Sequence, residues 1–125
     1  MKTALDLQNV MRSRFPEISQ KADLLHIERW DSQDPIYAFS WFESLADSLN
    51  SEMVAGVPYA AYRQLFQFLS DAFPQGTDEV RGCIDVAFTE NLFWRVEPSK
   101  TEPYWSPLPQ ALKDLYVAFH QRAPL

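Results

Sequence analysis

Apolar side chains recur at three- and four-residue intervals along nearly the whole chain, and most of the nine prolines fall at the seams between those runs. Proline inside a helix removes a hydrogen bond and crowds the preceding turn, so this pattern describes a series of helices punctuated by proline. The expectation is an all-α fold: a single helical domain over residues 1–125, built as a bundle of five or six helices with a Pro-rich loop before the last helix. A chain of this length removes about two-thirds of its unfolded surface from water. With 46 % hydrophobic and 14 % aromatic residues it has the material for one core without disulfides or metals.

The first helix starts at Thr3, carries Ala4, Leu7, Val10 and Met11, and ends near Phe15-Pro16. Pro16 can open the second, from Glu17 to about Trp30, where Ile18, Ala22 and Leu25 share a face while Leu24 and Ile27 point elsewhere, as in a helix broken or buried on two sides. Asp34-Pro35 reads as an N-cap with proline at the first helical position, followed by the stripe Ala38, Trp41, Phe42, Leu45, Ala46, Leu49 and Met53. Ser40, Glu43, Ser44 and Asp47 fall opposite, and Gly56 is a natural stop. A fourth helix begins at Pro58. Tyr62, Leu65, Phe66, Leu69 and Phe73 line it, and Ala61, Phe68 and Ala72 widen that stripe enough to place it centrally. Thr77 or Asp78 caps a fifth helix. In the last, Leu108, Leu112, Leu115, Tyr116 and Phe119 align. Between those two, Val96 to Pro107 holds Pro98, Pro103 and Pro107 and is expected to be the longest loop. The predicted core is Phe42, Leu45, Leu49, Tyr62, Phe66, Leu69, Ile84, Phe88, Leu112 and Phe119.

Eleven basic against seventeen acidic side chains give a net charge of −6, which opposes binding to nucleic-acid phosphates or anionic lipid and suits a basic protein surface. The single cysteine, Cys83, excludes an internal disulfide, and no run reaches the roughly 18 apolar residues of a membrane span. A soluble chain in a reducing cytoplasm is the expectation.

Residues 87–94, AFTENLFW, set a Thr-Glu-Asn triplet between apolar clusters. Winding the fifth helix at 100° per residue puts Val80, Cys83, Ile84, Ala87, Phe88 and Trp94 in one sector with Asn91 at its centre. Arg81, Asp85 and Thr89 lie on the far side, Arg81 and Asp85 being spaced to pair, and Glu90 sits at the boundary. A buried Asn91 must satisfy both its carbonyl and its amide, so it is read as tying this helix to neighbouring backbone. No nucleophile with a base and no phosphate-binding glycine loop accompanies it. His26 and His120, the only histidines, lack metal-ligand spacing and read as surface residues, and Cys83 reads as a small core hydrophobe. No catalytic residue, metal or cofactor is assigned, and the chain is expected not to be an enzyme.

The stretch Cys83-Ile84-Asp85-Val86-Ala87-Phe88-Thr89-Glu90-Asn91-Leu92, then Tyr104-Trp105-Ser106-Pro107-Leu108-Pro109 and Leu112-Lys113-Asp114-Leu115-Tyr116, resembles small helical bacterial proteins of unknown function, among them immunity proteins of secreted polymorphic and type VI toxin systems. The resemblance implies an immunity protein that binds a cognate bacterial toxin and occludes its active or substrate-binding surface, the toxin presenting a basic face. The alternatives are a small ligand-binding or enzymatic helical domain, or a structural or adaptor subunit. Two stretches place acidic groups and aromatics off the regular stripes, residues 30–34 and 97–105. Asp31, Asp34, Glu97, Glu102, Tyr104 and Trp105 are therefore the expected partner contacts, the carboxylates steering association and the aromatics slowing release. A competing reading has Trp30 and Trp105 folded over the core as lids.

Overall fold

A computed structural model describes residues 1–31, 34 and 37–125. Among these the chain is helical, with seven α-helices: α1 Ala4–Arg14, α2 Pro16–Trp30, α3 Ala38–Val54, α4 Arg63–Ala72, α5 Asp78–Gly82, α6 Pro98–Trp105 and α7 Gln110–His120. A 3-10 turn at Tyr59–Ala61 leads into α4. A π-helical segment, Cys83–Phe88, and a second 3-10 turn, Thr89–Asn91, continue from α5.

The helices start and stop where local chemistry dictates. Thr3 and Asp6 form a capping box on α1, each side chain bonding the other's backbone N–H. Pro16 occupies the first turn of α2, where its missing N–H costs nothing. The N–H of Gly56 bonds Met53 O and that of Val57 bonds Glu52 O. This Schellman stop needs the left-handed backbone that Gly56 supplies at φ 81°. At the start of α3 the residue flanking the helix is Tyr37, whose N–H bonds Asp34 O at 2.9 Å; the proline expected in the first turn, Pro35, lies outside the described residues.

The central element is α3, not α4. Trp41, Phe42, Leu45, Ala46 and Leu49 have no exposed surface, Ser44 from the expected polar side is buried too, as are Ser48 and Asn50, and no residue from 41 to 50 is exposed. Around it pack α1, α2, the π segment and α6. In α4 the buried face is confined to Leu65, Phe66, Leu69 and Ser70. Phe42, Leu45, Leu49, Phe66, Leu69, Ile84, Phe88 and Leu112 are core as expected. Tyr62 is half-buried, and Phe119 is 57 % exposed. The inner line of α7 advances in steps of four, Leu112, Tyr116, His120, so His120 takes the inward place and stacks on Tyr116 with centroids 4.0 Å apart.

Four further expectations change. The second helix is continuous and buries Ile18, Ser19, Ala22 and His26, leaving Leu24 63 % and Ile27 37 % exposed. His26 is not a surface residue: it is 2 % exposed, burial holds its pKa low, its ring lies beside both Trp30 and Tyr37, and its Nδ1 has no hydrogen-bond partner among the described residues. Most of the Pro-rich stretch is α6, not loop. Pro98 takes the first helical position, Pro103 lies on the exposed side, and the helix is held by burial of Thr101 and Tyr104. Finally, Arg81 turns to the Phe73 carbonyl and ring and does not meet Asp85.

Polar groups on or beside α3 bind its neighbours. Asp23 of α2 accepts from Arg12 of α1 at 2.6 Å and from the Trp41 indole of α3 at 2.7 Å. Glu52, 8 % exposed, accepts from Lys21 of α2 at 2.6 Å and from the Tyr62 hydroxyl. Burial pushes the Glu52 carboxyl up, but these two hydrogen bonds outweigh it and hold the pKa below the ordinary carboxylate value. A group depressed in this way stabilises the fold at pH above its unfolded pKa and loses that contribution as pH falls through the folded one. Glu52→Gln should therefore cost about 1–3 kcal/mol in urea unfolding near neutral pH. The difference from wild type should close below the ordinary carboxylate range; a constant difference across acid pH would show that the ionised carboxylate is not the stabilising form.

Candidate functional site

The π segment changes the phase of everything after it. Thr89 is fully buried, its hydroxyl donating at 2.7 Å to the carbonyl of Ile84, five residues back. Uniform winding had placed it outside. The helix then ends at Asn91, whose amide donates to Ala87 O at 2.8 Å, so Trp94 never reaches the buried sector and is 61 % exposed. Cys83 is buried, with its thiol pushed up to about 12, in keeping with a core hydrophobe.

The backbone that follows is unusual. Phe93 at φ 66° and Arg95 at φ 57° are both left-handed, although neither is glycine. Such residues cost about 1–3 kcal/mol each and persist only where their surroundings over-determine them. Here the constraint is Asn50, buried on α3. Its Nδ2 donates to Asn91 O at 2.9 Å and its Oδ1 accepts the Phe93 N–H at 2.7 Å. The Phe93 ring is driven inward against Trp105 and Tyr116, at 5.8 and 5.6 Å. With Phe93 fixed inward, Trp94 is fixed outward, and the Arg95 guanidinium lies 5.5 Å from the centre of its ring.

Trp94 and Arg95 form a ridge between two hollows. One, of about 450 Å³, is walled by the Arg29–Asp47 ion pair, Asn50 and Val54. The other, of about 370 Å³, is walled by Glu90, Tyr116, His120 and Arg122. Burial, with a lesser push from the Asp85 charge, raises the Glu90 pKa against an opposing effect of His120. An exposed tryptophan beside arginine is side-chain chemistry enriched at the hot spots of protein interfaces. Among the described residues no group of three His, Cys, Asp or Glu is placed to hold a metal ion.

The residues expected to contact a partner are distributed around this ridge unevenly. Glu97 is exposed three residues beyond Trp94 and its carbonyl receives the first N–H groups of α6. Glu102 is exposed on α6, Asp31 is exposed at the left-handed end of α2, and Asp34 is exposed. Trp105 is half-buried under Phe93, with the Lys113 ammonium 5.5 Å from its ring centre. Tyr104 is a correction: it is 1 % exposed and its hydroxyl donates to Val57 O at 2.8 Å, locking α6 to the turn that ends α3, so it has no surface to offer. Trp30 stacks on Tyr37 at 5.1 Å and is 43 % exposed. Sequence reasoning missed Asn50, Trp94 and Arg95. A usable signal was present in Asn91, a residue type common at helix ends, which argues against winding the helix on to Trp94.

Residues 9–122 match the model of a family described as a domain of unknown function (DUF7674), and the chain belongs to that family. No curated protein and no solved structure matches it.

Asn50→Ala should destabilise the fold by about 1–3 kcal/mol, because it leaves the Phe93 N–H and Asn91 carbonyl unsatisfied. Amide exchange should accelerate at Phe93 in particular. Unchanged protection there would show that the ridge does not depend on Asn50.

Proposed function

We propose that this member of a family without assigned function acts by binding another protein, and that it is an immunity protein whose partner is a secreted bacterial toxin met in the cytoplasm. The observation that carries the binding reading is the exposure of Trp94 between two left-handed residues, Phe93 and Arg95, the first of them held by the buried Asn50. Strain of that kind serves no packing purpose for the indole, which gains little burial from it. It does fix an aromatic anchor before the partner arrives, which reduces the ordering cost of association.

The toxin as partner rests on the resemblance of residues 83–92 and 104–116 to immunity proteins. Neutralisation is by occlusion: the ridge and its two hollows cover the toxin's active or substrate-binding surface, and no turnover is involved. The exposed carboxylates Asp31, Glu97 and Glu102, with the net charge of −6, steer a basic toxin surface toward the complex. A second reading, a helical domain that takes a small ligand, is favoured by the hollows of about 450 and 370 Å³ beside Trp94.

Tagged wild-type chain purified from its native host should bring down one stoichiometric toxin domain, and co-expression should relieve the growth arrest that this domain causes. Trp94→Ala should weaken the complex roughly thirtyfold or more, as expected of a hot-spot aromatic, without lowering the melting temperature. A small molecule retained in place of a protein would favour the second reading. A toxin bound equally well by Trp94→Ala would remove the ridge from the interface.

A further inference from the structure

The hollow of about 370 Å³ brings together Arg95, His120 and Arg122 in a chain where acidic side chains outnumber basic ones by seventeen to eleven. Both arginines are exposed and among the described residues neither pairs with a carboxylate, Arg95 lying instead over the Trp94 ring. Glu90 is the one acidic side chain on the wall, and it does not satisfy them. Its pKa lies above the ordinary value, whereas a carboxylate held by guanidinium would be drawn below it.

The rest of the wall is fixed. His120 Nε2 lies 3.0 Å from the Glu90 carbonyl, which can only accept, so Nε2 carries hydrogen and Nδ1 is the ring's other polar atom. The imidazole is stacked on Tyr116, itself packed against Phe93, whose N–H Asn50 holds, and Arg95 follows two residues on with a left-handed backbone. Guanidinium groups bind planar oxyanions through paired N–H donors, which suits a carboxylate.

We propose that this hollow is a carboxylate-binding subsite that receives an acidic side chain from the partner's contact segment, with Arg95 and Arg122 as its donors and Trp94 on its wall. The proposal rests on the reading of the chain as a protein-binding module and adds the chemistry of the segment bound. It is compatible with a basic partner surface, because net charge acts during approach, while within a screening length of about 8 Å the local groups decide the contact.

The test is a nitrogen-15 NMR titration of the whole protein with end-blocked tetraglutamate, end-blocked tetralysine and inorganic phosphate as separate probes. Tetraglutamate should shift the Trp94 indole N–H and the amides of Arg95 and Arg122, and added salt should weaken it. Arg95→Gln and Arg122→Gln should each reduce its affinity roughly tenfold while the melting temperature holds. No shift at millimolar tetraglutamate, equal shifts with tetralysine, or shifts indifferent to both substitutions would overturn the subsite. Phosphate moving these signals where tetraglutamate does not would overturn the carboxylate assignment. A partner captured by wild type and held equally well by the double arginine variant would refute the subsite and leave the binding module intact. Wild-type chain that responds to tetraglutamate yet captures no partner would retain the subsite and refute the module.

Discussion

The burial of α3 from Trp41 to Asn50 is the constraint from which the remaining structure follows. A helix satisfies its own backbone, so it can be withdrawn from water at the centre of a small domain provided its side chains find partners. Its apolar stripe does so by packing. The polar side uses small or committed groups: Ser48 donates to the Ser44 carbonyl, Asn50 takes both ends of a neighbouring segment, and Glu52 accepts from two other elements. Desolvating such groups without partners would be expensive, so their partners are bound in place by the same requirement. The result is that α2, the turn before α4, and the segment after the π helix are each tethered to α3 through a named side chain.

The Trp94 ridge is the outermost product of that arrangement. The π segment buries Thr89 and ends the helix early; Asn50 then dictates the path of the backbone; Phe93 fills the space beside Trp105 and Tyr116; and Trp94 is left on the outside. Local strain at Phe93 and Arg95 is offset by packing and hydrogen bonds made elsewhere. A site made this way is rigid because the core is rigid, although it lies between helices and not within one.

The parts legible in the sequence were those governed by short-range rules. The start of the first helix at Thr3, Gly56 as a stop, and the stripes of α1, α3 and α4 depend on neighbours within a turn or two. The parts that were not legible depend on distant partners. Ser44, Ser48, Asn50 and Glu52 have the composition of a wet face, and only the elements packed over them make that face dry. Tyr104 resembles a loop aromatic until Val57 accepts its hydroxyl, and two prolines disguise α6 because the burial that holds it together is tertiary. For Trp94 the failure was geometric: a projection at constant angle carries an error across any widened turn, and this chain places one directly before the ridge. His26 and Phe119 exchange their expected places for the same kind of reason, since residue type ranks them correctly on average and the local packing reverses it.

An enclosed central helix also governs where this protein can vary. From Trp41 to Asn50 no residue is exposed, so a replacement anywhere in that decade falls on a partly or wholly buried position. Neutral drift has little room there. Change can accumulate instead on the outer sides of α2, α6 and α7 and around the two hollows, where a new side chain meets water. The molecule thus separates a constrained interior from an adaptable rind, and the second can be remodelled without disturbing the first.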